Sequence, residues 1–144
     1  MRDALAVGLG ALVFGALLSG CDNGPGGDSA PPAVNVPMYR GEPNGDDAAV
    51  VGTLVEQDGC LLLEADGGET MQVAFPASWA GWDDTAGELT LGGETFRAGD
   101  RVQFGGSAHP LNRLTAVDWE TAPADRCEKP LVWLSQEDGR LLSR

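Results

Sequence analysis

Positive charge is scarce in this 144-residue chain: one lysine, Lys129, and eight arginines face 22 acidic residues, for a net charge of −13. A surface of that sign repels phosphate backbones, which argues against nucleic acid as a partner. Histidine occurs once, at His109, and a metal site needs more ligands at closer spacing. No D-x-D-x-D-G run of the calcium-loop type is present, and no glycine pair has phosphate-loop spacing, so no metal and no bound cofactor is expected. The acidic residues, Asp46, Asp47, Glu64, Asp66 and Glu69 among them, read as a solvated surface. Long apolar runs are missing too. The longest apolar one, at 4–18, would span about 22 Å as a helix, short of the ~30 Å hydrocarbon core. That excludes a retained transmembrane helix. What the chain has in abundance is 21 glycines and 9 prolines, the composition of a turn-rich β protein.

The opening Met1-Arg2-Asp3 is followed by the apolar run and then by Leu18-Ser19-Gly20-Cys21. A positive residue, a short apolar stretch and small residues in that order read as a signal peptide. The last four residues resemble the lipobox of bacterial lipoproteins, with Asp3 a mild departure in the leader. The resemblance implies cleavage before Cys21, a diacylglycerol on its thiol and acylation of its amino group. No other cofactor is implied. Two or three acyl chains anchor far more firmly than one, so the mature protein is expected at the extracytoplasmic face of a cell membrane. Asp22 resembles an inner-membrane retention signal, should the cell have two membranes.

Three segments follow from this reading: a signal peptide at 1–20, a lipidated cysteine and tether at 21–47, and a folded domain at 48–144. The tether carries Gly24-Pro25-Gly26-Gly27, Pro31-Pro32, Pro37 and Pro43-Asn44-Gly45. Its 26 residues after Cys21 would span roughly 25–31 Å as a flexible coil. Val34, Val36, Met38 and Tyr39 are the apolar cluster within it, either lying on the domain or waiting for a partner.

Beyond residue 48 the apolar period becomes two. Strands are expected at 50–57, 60–65 and 70–75, then 88–91, 95–97, 101–104 and 131–135. Asp58-Gly59 between apolar runs is a strong hairpin signal, because both residues must take positive φ. Met71, Val73 and Phe75 share one face of their strand, and Val102 and Phe104 share one face of theirs. Gly105-Gly106 reads as a stop, and Asp138-Gly139 as the turn of a trailing hairpin. No window from residue 48 onward sustains a long amphipathic helix. The expected fold is therefore all-β: a small OB-like β-barrel, whose closure removes exposed edges, with a small β-sandwich as the alternative. Val51-Gly52-Thr53-Leu54, Asp58-Gly59-Cys60-Leu61, Phe75-Pro76, Gly99-Asp100-Arg101-Val102 and Val132-Trp133-Leu134 resemble small extracytoplasmic lipoproteins of GC-rich bacteria, an OB-like barrel on a lipidated tether. That resemblance implies no catalytic residue.

Three cysteines is an odd count. With Cys21 lipidated, as the lipobox implies, Cys60 and Cys127 remain, and outside the cytoplasm they are expected to form a disulfide. A metal pair or redox couple is the competing reading. Closing a loop of about 68 residues is worth roughly 4 kcal/mol in the chain-entropy picture.

Four residues stand out as a weak binding site. Trp79 and Trp82, followed by Asp83 and Asp84, fall in what reads as the longest loop. Aromatic rings beside carboxylates can stack on a sugar or a cation; tryptophans in that position can equally plug the end of a barrel. Trp119 and Trp133 read as core. Ser107 and His109 could share a face of an extended segment, but without an orienting carboxylate or oxyanion loop they make no triad, and His109 before Pro110 reads as loop. No catalytic set is thus expected. The function read from the sequence is a non-catalytic envelope lipoprotein that binds a protein or a glycan. The alternative is a sensor or carrier of a sugar or cation, with an envelope hydrolase least favoured.

Overall fold

Short alternating runs separated by Gly- and Asp-containing turns leave strands as the way to satisfy the backbone. The computed structural model describes residues 30, 32–42 and 48–144, with ten strands among them: β1 (Met38–Tyr39), β2 (Ala48–Gln57), β3 (Cys60–Ala65), β4 (Thr70–Pro76), β5 (Ala80–Asp83), β6 (Glu88–Leu91), β7 (Glu94–Arg97), β8 (Arg101–Pro110), β9 (Trp119–Thr121) and β10 (Leu131–Ser143). Two single helical turns, Leu111–Arg113 and Asp125–Cys127, complete the set. The leader, Cys21, Asp22, Asp46 and Asp47 lie outside the described residues.

Asp58 and Gly59 take φ of 54° and 72°, the left-handed turn that matches the twist of a two-residue hairpin. That turn sets β2 against β3 with Gln57 opposite Cys60, and β4 adds to β3 to give an antiparallel meander. β8 pairs with β2, and β10 pairs with β8, both antiparallel. β10 then returns to β4 in parallel, through Val132–Gln72, Trp133–Val73 and Leu134–Ala74. The circuit β2-β3-β4-β10-β8 is closed, so the domain is a small OB-like barrel and the sandwich is set aside.

Leu54, Leu61, Leu63, Met71, Val73, Phe75, Val102 and Phe104 form the buried core. The Phe104 ring meets those of Phe75 and Phe96 edge to face, at centroid distances of 5.4 and 5.6 Å. Each such side chain contributes about 1.5–3 kcal/mol on burial. β5, β6 and β7 make a separate three-stranded sheet that inserts Leu89, Leu91 and Phe96 into the same core. On that sheet Glu88 hydrogen-bonds Arg97 (Nε to Oε1, 2.8 Å), and this bond together with the carboxylate charge holds the guanidinium protonated above its ordinary range.

Four expectations are revised. Val36, Met38 and Tyr39 are buried, and Met38 pairs in parallel with Phe75, so the segment assigned to the tether belongs to the domain. The folded unit accordingly runs over Pro31–Arg144 rather than 48–144. The reason is packing: the apolar cluster covers the end of β4, which the meander alone leaves open. Gly105-Gly106 does not stop β8, which continues to Pro110 and takes His109 with it. Gly106 has φ of 140°, and a Cβ there would sit 2.0 Å from the Leu134 carbonyl oxygen, so glycine lets β10 approach where another residue would block it. β10 does not end at 135 or turn at Asp138-Gly139; it shifts register between Ser135 and Gly139 and continues, as a bulge does. Finally, the stretch read as the longest loop contains β5.

The outer face of β3 and β4 is buried as well. Cys60 and Leu62 pack with Cys127, and Ala74 packs with Tyr39, Leu114 and Val132. Fully buried Gln72 donates from Nε2 to Asn35 Oδ1 (3.1 Å), which also accepts from the Ala124 amide, while Asn35 Nδ2 donates to the Ala122 carbonyl. The Cys60–Cys127 disulfide, with Cα atoms 5.6 Å apart, fastens the connection 111–130 over this face.

Candidate functional site

The sealed face matters for function. OB barrels bind oligonucleotides and oligosaccharides across their second and third strands, here β3 and β4. In this chain that surface is covered by its own 111–130 connection.

The four residues singled out in the sequence lie together at β5, in unequal roles. Trp79 is 49% exposed in the turn before the strand, one of two large apolar side chains so exposed among the described residues. Trp82 is half-buried and packs on the edge of the core with Ala77 and Ala80. Its indole N–H donates to Asp84 Oδ1 at 2.7 Å, and the same oxygen accepts from the Val34 amide at 3.2 Å. Asp83 Oδ1 accepts from the amides of Thr85 and Ala86, at 2.9 and 3.0 Å, which closes the turn into β6. Asp83 is thus occupied by its own turn, and the alternation of β5 puts its side chain on the face opposite Trp82. Asp84 fixes the indole and pins the incoming N-terminal segment.

Trp82 borders two shallow grooves. One, of about 380 Å³, has Val34, Glu56 and Asp84 in its lining; the other, of about 350 Å³, has Val36, Met38, Glu120 and Thr121. Both fall near the lower end of ligand-site volumes. Glu56 and Glu120 are exposed carboxylates that the sequence did not single out. They come from β2 and β9, and no local pattern links them to Trp82. The apolar cluster around Val36 was visible in the sequence but not its place beneath the indole.

Trp133 is 6% exposed in the core, its Nε1 donating to the Gly105 carbonyl at 3.2 Å. Trp119 is half-buried against Tyr39 and Leu114. Trp133 follows the expectation of a core residue; Trp119 does so only in part, since it flanks the outer cluster rather than the barrel core. Ser107 Oγ lies 2.8 Å from His109 Nε2 on one face of β8. Among the described residues no carboxylate hydrogen-bonds His109, so the pair is a neighbour contact along a strand. No group of three or more His, Cys, Asp or Glu is placed to hold a metal ion among the described residues.

The chain matches no protein-family model, no curated protein and no solved structure. Its function must therefore be argued from these residues.

Proposed function

We propose that this chain is a lipid-anchored lipoprotein of the extracytoplasmic face of a bacterial cell membrane, with its barrel serving as a non-catalytic binding module for an envelope protein or glycan. The observation that carries the reading is the fate of the cysteines. Cys60 and Cys127 are joined in a disulfide, a bond that persists in oxidising compartments. That leaves Cys21 as the odd cysteine, set in Leu18-Ser19-Gly20-Cys21 behind a signal-like leader. The membrane is the first partner, through diacylglycerol and acyl chains on Cys21, and Asp22 favours the inner membrane of a two-membrane cell.

The test is the intact mass of the full chain extracted from membranes of a bacterial host. The expected protein starts at Cys21 and carries the mass of a diacylglycerol with or without an acyl group; Cys21→Ala is released from membranes. A Cys21→Ala protein that is cleaved and still sediments with membranes overturns the reading.

A second reading is a sensor of a sugar or a cation, and Trp82 flanked by Asp84 and Glu56 is what favours it. Tryptophan fluorescence titrated with monosaccharides and with quaternary ammonium ions is its test, an unchanged spectrum counting against it.

A further inference from the structure

Each of the two sheets ends on an edge strand, β9 in the larger and β5 in the smaller. The groove of about 350 Å³ beside Trp82 lies between these strands. Ala80 and Trp82 line it from β5, Glu120 and Thr121 from β9, and the buried Val36 and Met38 form its floor. The Gly92 amide donates to the Trp79 carbonyl at 3.0 Å, and Ala80 stands opposite Leu91. Antiparallel alternation then turns the backbone groups of Gly81 and Asp83 toward β6, and those of Ala80 and Trp82 away from it. Among the described residues β5 pairs with β6 alone; an unpaired strand edge is a template for one more strand, and strand addition is an established way to bind an extended peptide.

Charge selects the peptide. The chain carries −13, Glu120 stands exposed at the groove, and Asp84 and Glu56 lie on the other side of the same indole. Arg40, a nearby cation, is shared between Asp118 and Glu120, which leaves those three groups one net negative charge, and Arg126 donates to the Ala33 carbonyl in the lining of the other groove. We propose that this groove takes an extended cationic segment of a partner protein as an added strand on β5, with main-chain bonds to Ala80 and Trp82 and alternate lysine or arginine side chains facing the carboxylates. The four residues of β5 allow about 13 Å of pairing, a short and salt-sensitive contact. The inference deepens the reading of the domain as a binding module and rests on it, but needs no lipid.

The test uses the full chain in detergent micelles and three synthetic octapeptides: alternating lysine and valine, alternating glutamate and valine, and the lysine–valine peptide N-methylated at alternate residues. Hydrogen exchange is read by mass spectrometry. The lysine–valine peptide is expected to slow exchange of the amides at 80–82 at least fivefold, an effect that weakens with salt and falls about tenfold in apparent affinity in Glu120→Lys. No slowing, slowing elsewhere, or equal binding of the N-methylated peptide overturns strand addition, and equal binding of the glutamate peptide overturns the cationic partner. Cross-linking of the full chain in cells separates this from the broader reading. A specific partner bound without protection of β5 rejects the groove and keeps the module; the absence of any partner rejects both.

Discussion

The Tyr39 hydroxyl donates to the Ser135 carbonyl at 2.6 Å, joining positions 96 apart in the chain. Ser135 lies at the point where β10 slips against β8, so its carbonyl is where the ladder is irregular. A residue from the segment that looked like tether therefore secures the bulge in the last barrel strand.

Tyr39→Phe keeps the ring and removes the donor. A buried carbonyl that loses its partner costs about 1–3 kcal/mol, and this variant is expected to lower stability by that amount in a urea titration. Tyr39→Ala, which also opens a cavity, should cost about 3–5 kcal/mol. A Tyr39→Phe protein as stable as the parent would mean that the segment is not held by this bond.

Gly106→Ala and Gly81→Ala form a matched pair. A Cβ at Gly106 would meet the Leu134 carbonyl oxygen at 2.0 Å in a left-handed backbone, whereas at Gly81 it meets nothing within 4 Å. Gly106→Ala is expected to lose more than ~3 kcal/mol, since strain alone accounts for about 1–3 and the collision adds to it. Gly81→Ala should stay within ~0.5 kcal/mol of the parent. Thermal melts of the two variants side by side check both.

Replacing Cys60 and Cys127 together with alanine removes the clamp over the outer face of β3 and β4. About 4 kcal/mol of stability should go with it. Hydrogen exchange should then quicken first in the 111–130 connection, ahead of the barrel strands. Uniform quickening across the domain would show that the bond supports the barrel as a whole.

Acrylamide quenching separates the tryptophans. Trp79, half exposed, should supply most of the quenchable fluorescence, and Trp79→Phe should remove it, while the buried Trp133 stays dark to the quencher. Asp84→Ala frees both the Trp82 indole and the Val34 amide from their shared acceptor. It should raise Trp82 quenching and lower stability by about 1–2 kcal/mol.

What was legible in the sequence was what neighbours decide. Asp58-Gly59 fixes a hairpin from two adjacent φ angles, and Met71, Val73 and Phe75 announce their face by spacing alone. The strands at 60–65 and 88–91 fall where the pattern put them. What was hidden depends on partners far along the chain. Two residues at Met38–Tyr39 have no pattern of their own and become a strand because Phe75 and Pro76 are beside them. Gly105-Gly106 has the composition of a terminator, and only the approach of Leu134 makes it a crossing point within a strand. The site divides in the same way. Trp82 and Asp84 were visible as neighbours, while Val34, Glu56 and Glu120 come to the indole from the segment before β1, from β2 and from β9. None of them lies on β4 or β10, the two strands whose pairing makes the barrel's closure.

That closure has a consequence in time. The meander β2–β4 can assemble as soon as it is synthesised, but its far edge stays open until Val132–Leu134 of β10 arrives. No shorter product can complete the ring, and partners separated by some sixty residues must find each other before the ring is made, a contact pattern associated with slow folding. A chain passed end-first through a narrow opening would thus remain threadable until Val132–Leu134 emerges, and only then become a closed body.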